Sequence, residues 1–494
     1  MKNTSSTVGD SLADNSYLTK LIWIILVVTS VRVIALLSSE LNFHGDEAQY
    51  WTWSQALDWG YYTKPPMIAW IIHSTTWVLG DAEWATRISS PLLHAGTSFF
   101  CALTADKLYG KNAALWAGIT FLTLPAVSFS SCIISTDVPL LFFWSISLYL
   151  LIRNIQKRCP SCSLLLGASL GFGLLSKYAM AYFIICALIS CFFFKNYRWF
   201  LKSWNGLVSI AIAGLILIPN IIWNIDRQWV TVTHVGDNVN LKAQLFNLQN
   251  LVSFLGEQFG VFGPILFLAL IFLVILFLRG QIEKRDAWLL CFILPILIIV
   301  TTQSFISRAN ANWAAPAYIG ATILVSGWLS VNYHRWILKV SFSLHALTMA
   351  IIIFYFLSIP GYYPPLKSDP LRKLRGWSEL SQSLSDTMAN YPQHILLTED
   401  RKTTASLLYG LRAQSYPIQI WDYDGQPDHH YELTAKYLPQ EKDKIILAAK
   451  WETPHPILTN FAFVKRLEPL QVGIGKTTYR TLHLFELRNY RKDR

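Results

Sequence analysis

Apolar runs recur from residue 21 to residue 357, each interrupted by a short polar stretch. About 20 apolar residues in a helix cross roughly 30 Å of hydrocarbon, so the pattern predicts a polytopic α-helical membrane protein. Cations gather in the interruptions: Lys2 and Lys20; Lys107 and Lys111; Arg153, Lys157 and Arg158; Lys195, Arg198 and Lys202; Arg279, Lys284 and Arg285; His334, Arg335 and Lys339. The positive-inside tendency assigns all of these to the cytoplasm. Parity then orders the spans at about 19–38, 86–105, 113–130, 138–152, 204–222, 258–278, 287–303, 315–331 and 340–358. Residues 67–79 are apolar but short, and a crossing there would put Lys107 on the wrong side, so they read as a juxtamembrane or re-entrant helix. Residues 164–194 lie between two basic loops, which predicts two short helices turning near Ser176-Lys177-Tyr178. The count is about eleven spans, with outer loops at 39–84, 131–137, 223–257 and 304–314.

After residue 359 the pattern changes. Strand-like runs at 394–397, 418–421, 444–448, 461–464 and 478–485 alternate with helical candidates at 377–388 and 402–411. Parity places this tail outside. The expected organisation is a cytoplasmic N-terminus (1–18), a membrane domain (19–359) and a small periplasmic α/β domain (360–494), with Pro360, Pro364 and Pro365 marking the linker. Residues 1–18 are polar, and the first apolar run reads as a retained span rather than a cleaved signal.

Composition agrees. Of 494 residues, 53% are hydrophobic and 14% charged, where a soluble chain carries nearer a quarter. The net charge of +11 resides largely in inter-helix loops, where topology explains it without a nucleic-acid partner. All seven cysteines precede residue 292, so the tail holds no disulfide. Cys159-Pro160-Ser161-Cys162 has the spacing of a redox or metal motif, but it is a lone pair in a basic loop, and neither function is assigned to it.

Against this charge-poor background, the first outer loop holds Asp46, Glu47 and Lys64 among many aromatics. Charge beside a bilayer is costly to desolvate, which marks such residues as functional candidates. The same face collects Asp137 at the start of a span, Lys177 at the hairpin turn, His234 in a later loop, and Arg308, Asn312 and Trp313 before another span. Each also has a plain structural reading. Asp46, Glu47 and Asp137 suit helix N-termini, Lys64 and Lys177 suit snorkelling, and Arg308 suits lipid headgroups. His234 suits an ordinary loop position, and Trp51, Trp53, Trp59, Tyr61 and Tyr62 suit an interfacial aromatic belt as well as a sugar platform.

Five motifs occur in order: Asp46-Glu47-Ala48-Gln49-Tyr50-Trp51, Gly60-Tyr61-Tyr62-Thr63-Lys64-Pro65-Pro66, Ser135-Thr136-Asp137-Val138-Pro139-Leu140, Gly173-Leu174-Leu175-Ser176-Lys177-Tyr178 and Asn310-Ala311-Asn312-Trp313-Ala314-Ala315-Pro316. Over about residues 20–360 the chain resembles bacterial members of the dolichyl-phosphate-mannose protein mannosyltransferase-like family, which includes the lipid A aminoarabinose transferase. The resemblance implies a GT-C fold in the bacterial inner membrane, with the active site and tail on the periplasmic side. It implies a polyprenyl-phosphate sugar donor and an envelope acceptor, a glycolipid such as lipid A before a glycoprotein. It assigns Asp46 to catalysis and Lys64 to the donor phosphate, and His234 matches a histidine in a later outer loop. The chemistry of a departing phosphate at this face adds Lys177 and Arg308 to Lys64 and sets Asp137 beside Asp46 as catalytic, with Glu47, Tyr61, Tyr62, His234, Asn312 and Trp313 as substrate contacts. One position departs: aminoarabinose transferases carry a metal-linked glutamate before Lys-Pro-Pro, where this chain has Thr63. No cofactor is required by this reading, and a divalent metal is left open.

Two other classes compete with an enzyme. A lipid-linked-sugar flippase or transporter would want polar residues distributed through the bilayer, often with internal repeats, whereas these candidates gather at one face. A membrane-anchored recognition protein would work through its tail alone.

Overall fold

The computed structural model describes residues 16–238, 245–357, 369, 371–414 and 416–491. The proline linker at 360–365 lies outside them. The chain divides into two compact units: residues 1–38, 64–68 and 87–357 form one, and 39–63, 69–86 and 358–494 the other. The sequence reading ended the membrane domain near residue 359 and kept the first polar loop within it. The structure instead folds most of that loop with the tail.

The first unit is helical. Among the described residues, five helices are long and apolar enough to cross a membrane: Ser16–Leu37, Asp137–Lys157, Trp204–Asp226, Lys284–Ile306 and Arg335–Phe356. The number rises to seven if each of two bent pairs is one span, and shorter apolar helices include Pro160–Ser176 and Ala317–Val331. The sequence reading expected about eleven spans; helix length and hydropathy among the described residues support five to seven. The run expected at 258–278 is one of the bent pairs. Leu248–Phe262 and Pro264–Leu278 meet at 112°. Gly263 at the corner has φ +88°, and a Cβ there would fall 2.1 Å from Nε2 of His345. Pro264 begins the second helix, where its missing N–H costs nothing. The break expected near residues 176–178 is present: Pro160–Ser176 stops at an extended Lys177, and Ala181–Phe193 follows a single 3-10 turn.

Burial sorts the helices. Ala317–Val331 is buried along nearly its whole length, and Gly327 lets the Tyr109 ring lie against its backbone. Arg335–Phe356 and Trp204–Asp226 expose most of their apolar surface, as lipid-facing helices do. Pro160–Ser176 packs closely on Trp204–Asp226 through Gly167 and Gly171. A Cβ at Gly167 would sit 2.6 Å from the Ser209 carbonyl oxygen, so only glycine permits that approach. At the start of the same helix, Cys159 and Cys162 are joined as a disulfide, an engagement the sequence reading did not assign.

The second unit contains a sheet in the order β2–β1–β3–β6–β4: β1 Ile395–Thr398, β2 Ile418–Ile420, β3 Lys444–Ala449, β4 Phe461–Arg466 and β6 Tyr479–Tyr490. β5, Leu470–Gly473, pairs with β6 off this path. β1 is parallel to β2 and β3, and β6 is antiparallel to β3 and β4. Side chains alternate across a strand, so β3 sends Ile446 and Ala448 into one core with Leu380, Leu384 and Leu407. It sends Ile445, Leu447 and Ala449 into another with Trp421, Phe461 and Phe485. The first loop joins this unit through Asn42. Its Oδ1 accepts from the Trp377 N–H at 2.7 Å, its Nδ2 donates to Ser378 Oγ at 2.7 Å, and its N–H donates to the Leu374 carbonyl at 2.8 Å.

The glycine contact yields a prediction. Gly167→Ala should lower stability by about 1–3 kcal/mol, because a backbone carbonyl cannot yield to the added methyl. Gly214→Ala, where nothing lies within 4 Å, should cost nothing. Thermal unfolding in detergent checks both; equal melting temperatures would refute the glycine-dependent packing.

Candidate active site

The sequence candidates assemble as two clusters, one in each unit. In the second unit, helix Gly45–Ser54 is opened by a capping box: the His44 side chain accepts from the backbone, and Glu47 Oε2 accepts from the His44 N–H at 2.9 Å. Glu47 therefore serves the helix start, and its side chain is buried. Asp46, in the first turn of that helix, points elsewhere. Its Oδ1 accepts from Arg401 Nη2 at 2.8 Å, and Arg401 Nη1 also donates to Gln49 Oε1. Arg401 begins helix Arg401–Gly410, which Asp400 caps by accepting from the N–H groups of Lys402 and Thr403.

Burial pushes the Asp46 carboxyl up, but the Arg401 guanidinium, His44 and the Arg401 hydrogen bond outweigh it and hold the group below the ordinary carboxylate range. His44 is lowered, first by burial and further by Lys402 and Lys373, against the pull of Asp46 and Glu47. Neutral His44 agrees with its geometry, since Nδ1 accepts from the Asp46 N–H at 3.3 Å.

In the first unit, Asp137 is the first residue of helix Asp137–Lys157, where the positive end of the helix dipole favours a carboxylate. Lys177 Nζ donates to its Oδ1 at 2.7 Å, and Asn312 Nδ2 donates to its Oδ2 at 2.6 Å. Three candidates far apart in sequence thus meet through one carboxylate. Beside Lys177 in sequence, the Tyr178 hydroxyl donates to Asn220 Oδ1 at 2.8 Å and accepts from Asn224 Nδ2 at 3.2 Å.

The remaining candidates fall as follows. Tyr61 is 1% exposed, stacks on Trp53 at 4.6 Å, and spends its hydroxyl on the carbonyls of Trp53 and Ala56. Its ring has no free face for a sugar, which corrects the assignment of Tyr61 to substrate. Tyr62 donates to the Pro427 carbonyl at 2.6 Å. Lys64 and Trp313 are half-buried. His234 lies in a short helix, Val230–Asn238, rather than in an irregular loop. Arg308 is exposed and, among the described residues, pairs with no carboxylate. Among the described residues no three His, Cys, Asp or Glu side chains converge as a metal site would require.

Sequence reasoning missed Arg401, Tyr178, Asn220 and Asn224. It also passed over Arg32 in helix Ser16–Leu37, which is fully buried and donates to the Leu122 carbonyl at 2.5 Å. The signal for Arg32 was available, since it is a cation in an apolar span.

Comparison with known proteins adds a second line. The family model for dolichyl-phosphate-mannose-protein mannosyltransferase matches residues 63–223. Lipid A galacturonosyltransferase RgtD of Rhizobium johnstonii is 33% identical over 412 residues, covering 83% of this chain and 86% of that protein. Undecaprenyl phosphate-alpha-4-amino-4-deoxy-L-arabinose arabinosyl transferase of Erwinia tasmaniensis is 27% identical over 206 residues, 39% of this chain and 35% of that protein. The crystal structure of ArnT from Cupriavidus metallidurans bound to undecaprenyl phosphate has a similar fold. Its TM-score is 0.64, covering 95% of this chain and 98% of that chain, at 13% identity.

Two predictions follow from the geometry. Lys177→Met leaves the Asp137 carboxylate without its cation and should cost about 3 kcal/mol of stability, the usual penalty for an orphaned, largely buried charge. Asp137→Asn with Lys177→Met should recover part of that loss, and a double-mutant cycle in thermal unfolding reads it; additive losses would refute the coupling. The Asp46–Arg401 pair has a pH signature. A carboxyl lowered by folding adds stability above its unfolded pKa, about 4, and loses it as pH falls through the lower folded value. The stability difference between the wild type and Asp46→Asn should therefore be constant at neutral pH and shrink below about pH 4.

Proposed function

We infer the function from one premise: this chain belongs to the dolichyl-phosphate-mannose protein mannosyltransferase-like family, membrane glycosyltransferases of GT-C fold that include the lipid A aminoarabinose transferase. On that premise the protein moves a sugar from a polyprenyl-phosphate donor to lipid A or a lipopolysaccharide sugar. It does so from the bacterial inner membrane, at the periplasmic face. The observation that carries this reading is the 33% identity over most of the chain to a lipid A galacturonosyltransferase. The same likeness favours a hexuronic acid as the transferred sugar, and Thr63 supports a donor other than aminoarabinose.

The roles of the residues follow from the chemistry. An acceptor oxygen attacks the anomeric carbon of the donor from the face opposite the leaving group. The bond from that carbon to the phosphate oxygen breaks, and the polyprenyl phosphate departs with the electron pair. The anomeric centre inverts. Negative charge on the leaving phosphate is the largest change, and Lys64 is the group assigned to it, assisted by Arg308. Lys177 also carries the required charge, although its pairing with Asp137 gives it a positioning role in the resting structure. Asp46 takes the proton of an acceptor hydroxyl, which requires it to exchange Arg401 for that hydroxyl. Asp137 and Asn312 orient substrate, with Tyr62, His234 and Trp313 as further contacts. The domain organisation proposed here joins the 39–63 loop to the periplasmic tail, in keeping with the division into units.

The test is sugar transfer by purified protein in lipid, with polyprenyl-phosphate sugar and lipid A, read by mass spectrometry. Asp46→Asn should lower kcat by about a hundredfold, the low end for general acid–base groups. Lys64→Ala should lower it by a similar factor of about a hundred, as expected when charge stabilisation of a leaving group is lost. Undiminished transfer in either variant would sink the site assignment. A donor left chemically intact by the wild type would indicate a flippase instead.

A further inference from the structure

The second unit contains a pocket of about 530 Å³ that the reaction described above does not use. Arg372, Lys373, Lys402, Lys450 and Arg480 line it, and Asp400 is the one carboxylate among its lining residues. Asp400 is committed to the helix cap, where Oδ1 accepts from two N–H groups. Arg480 is fixed in the wall. Its guanidinium lies 4.2 Å over the Trp377 ring and donates to the carbonyls of Arg372, Lys373 and Arg375. Burial lowers it to about 10, so it stays a cation at neutral pH. Arg372, Lys373, Lys402 and Lys450 are exposed, and among the described residues none of the four forms an ion pair with a carboxylate.

Five cations around one concavity repel one another, and a concave low-dielectric wall focuses their field. The cost is offset when an anion enters. Two helices, Gly45–Ser54 and Arg401–Gly410, also open on this pocket at their N-termini, since Gly45, Lys402 and Thr403 are among its lining residues. That adds positive potential of the same sign. The volume exceeds what a lone phosphate needs. Tyr479, 63% exposed on the wall, offers an aromatic face, and Thr403 and Thr481 offer hydroxyls. An aromatic face, hydroxyls and a surplus of cations together suit a sugar that bears an oxyanion.

We propose that this pocket binds an anionic saccharide, a sugar carrying a phosphate ester or a carboxylate, and thereby docks the acceptor beside Asp46. The position supports docking: His44 and Gly45 form part of the wall, and Asp46 is the next residue. The Lys402 side chain packs against Gly45, where an added Cβ would meet Lys402 Cγ at 2.8 Å. The docking role rests on the glycosyltransferase reading; the binding itself does not.

The experiment uses full-length protein in lipid nanodiscs and measures equilibrium binding of three probes: glucosamine disaccharide bisphosphate, digalacturonate and neutral chitobiose. The charged probes should bind and chitobiose should not, and the stronger of the two identifies phosphate or carboxylate as the natural group. Lys373→Glu with Lys450→Glu should weaken the charged probes by at least about tenfold, as expected for losing charge-assisted hydrogen bonds. Lys450→Gln alone, a change at an exposed side chain, should weaken them in the same direction and guards against misfolding of the double variant. In transfer assays the same variants should raise KM for the acceptor while leaving kcat and the donor KM unchanged. Equal affinity for chitobiose, or charged probes indifferent to these variants, would overturn the proposal. Binding needs no turnover, so loss of the transferase reading leaves this arm standing, and failure here leaves the transferase reading untouched.

Discussion

The pair between Asp46 and Arg401 joins two parts of the chain that hydropathy separates. The first polar loop follows an apolar span and on its own would be a short connector with costly charges. Arg401 supplies the counter-charge and reaches Gln49 one helical turn further on, so the start of helix Gly45–Ser54 is anchored to the start of helix Arg401–Gly410. Asn42 and the edge-to-face packing of Trp51 against Tyr409 extend the same contact. The tail is then part of the scaffold that orients the loop carrying the proposed base.

The second unit also illustrates what burying a charge requires. Asp46, about two-fifths exposed, keeps a carboxylate because the Arg401 guanidinium pairs with it. Glu47, almost fully buried, is satisfied by the capping box. In the first unit Asp137 meets the same requirement with a lysine, an asparagine and a helix N-terminus. The two clusters solve one physical problem with different partners, and both leave cations and amides arranged around a fixed carboxylate.

Much of this was legible in the sequence. Parity of the basic loops placed Asp137, Lys177 and Asn312 on one face, and the structure brings their side chains within hydrogen-bond distance. Apolar runs in the tail located every strand except Leu470–Gly473, which is four residues long and never fully buried, so it leaves no apolar signal. The bend at Gly263 was hidden because hydropathy runs unbroken across it. Tyr61 suited an interfacial belt or a sugar platform in sequence, yet it packs against Trp53, a contact eight residues away that local pattern does not show. Arg401 could not be found from local pattern. It lies 355 residues from Asp46, and no spacing rule connects positions so far apart.

The pairing of Asp46 bears on where the catalytic effort falls. A carboxylate held below its ordinary range is a weaker base, and each unit of depression is worth about 1.4 kcal/mol between its two protonation states. An enzyme depending on early proton removal would raise that group toward neutrality. Here the resting surroundings do the reverse, so the Arg401 pair that Asp46 exchanges for the acceptor hydroxyl in the proposed mechanism keeps the group a carboxylate until the acceptor arrives. In the proposed mechanism Asp46 would then receive its proton from an oxygen made acidic by bonding to the anomeric carbon, a transfer that needs little basicity. The proposed docking pocket would serve the same order of events, because it would hold an anionic acceptor by its charge and ask nothing of Asp46 for affinity.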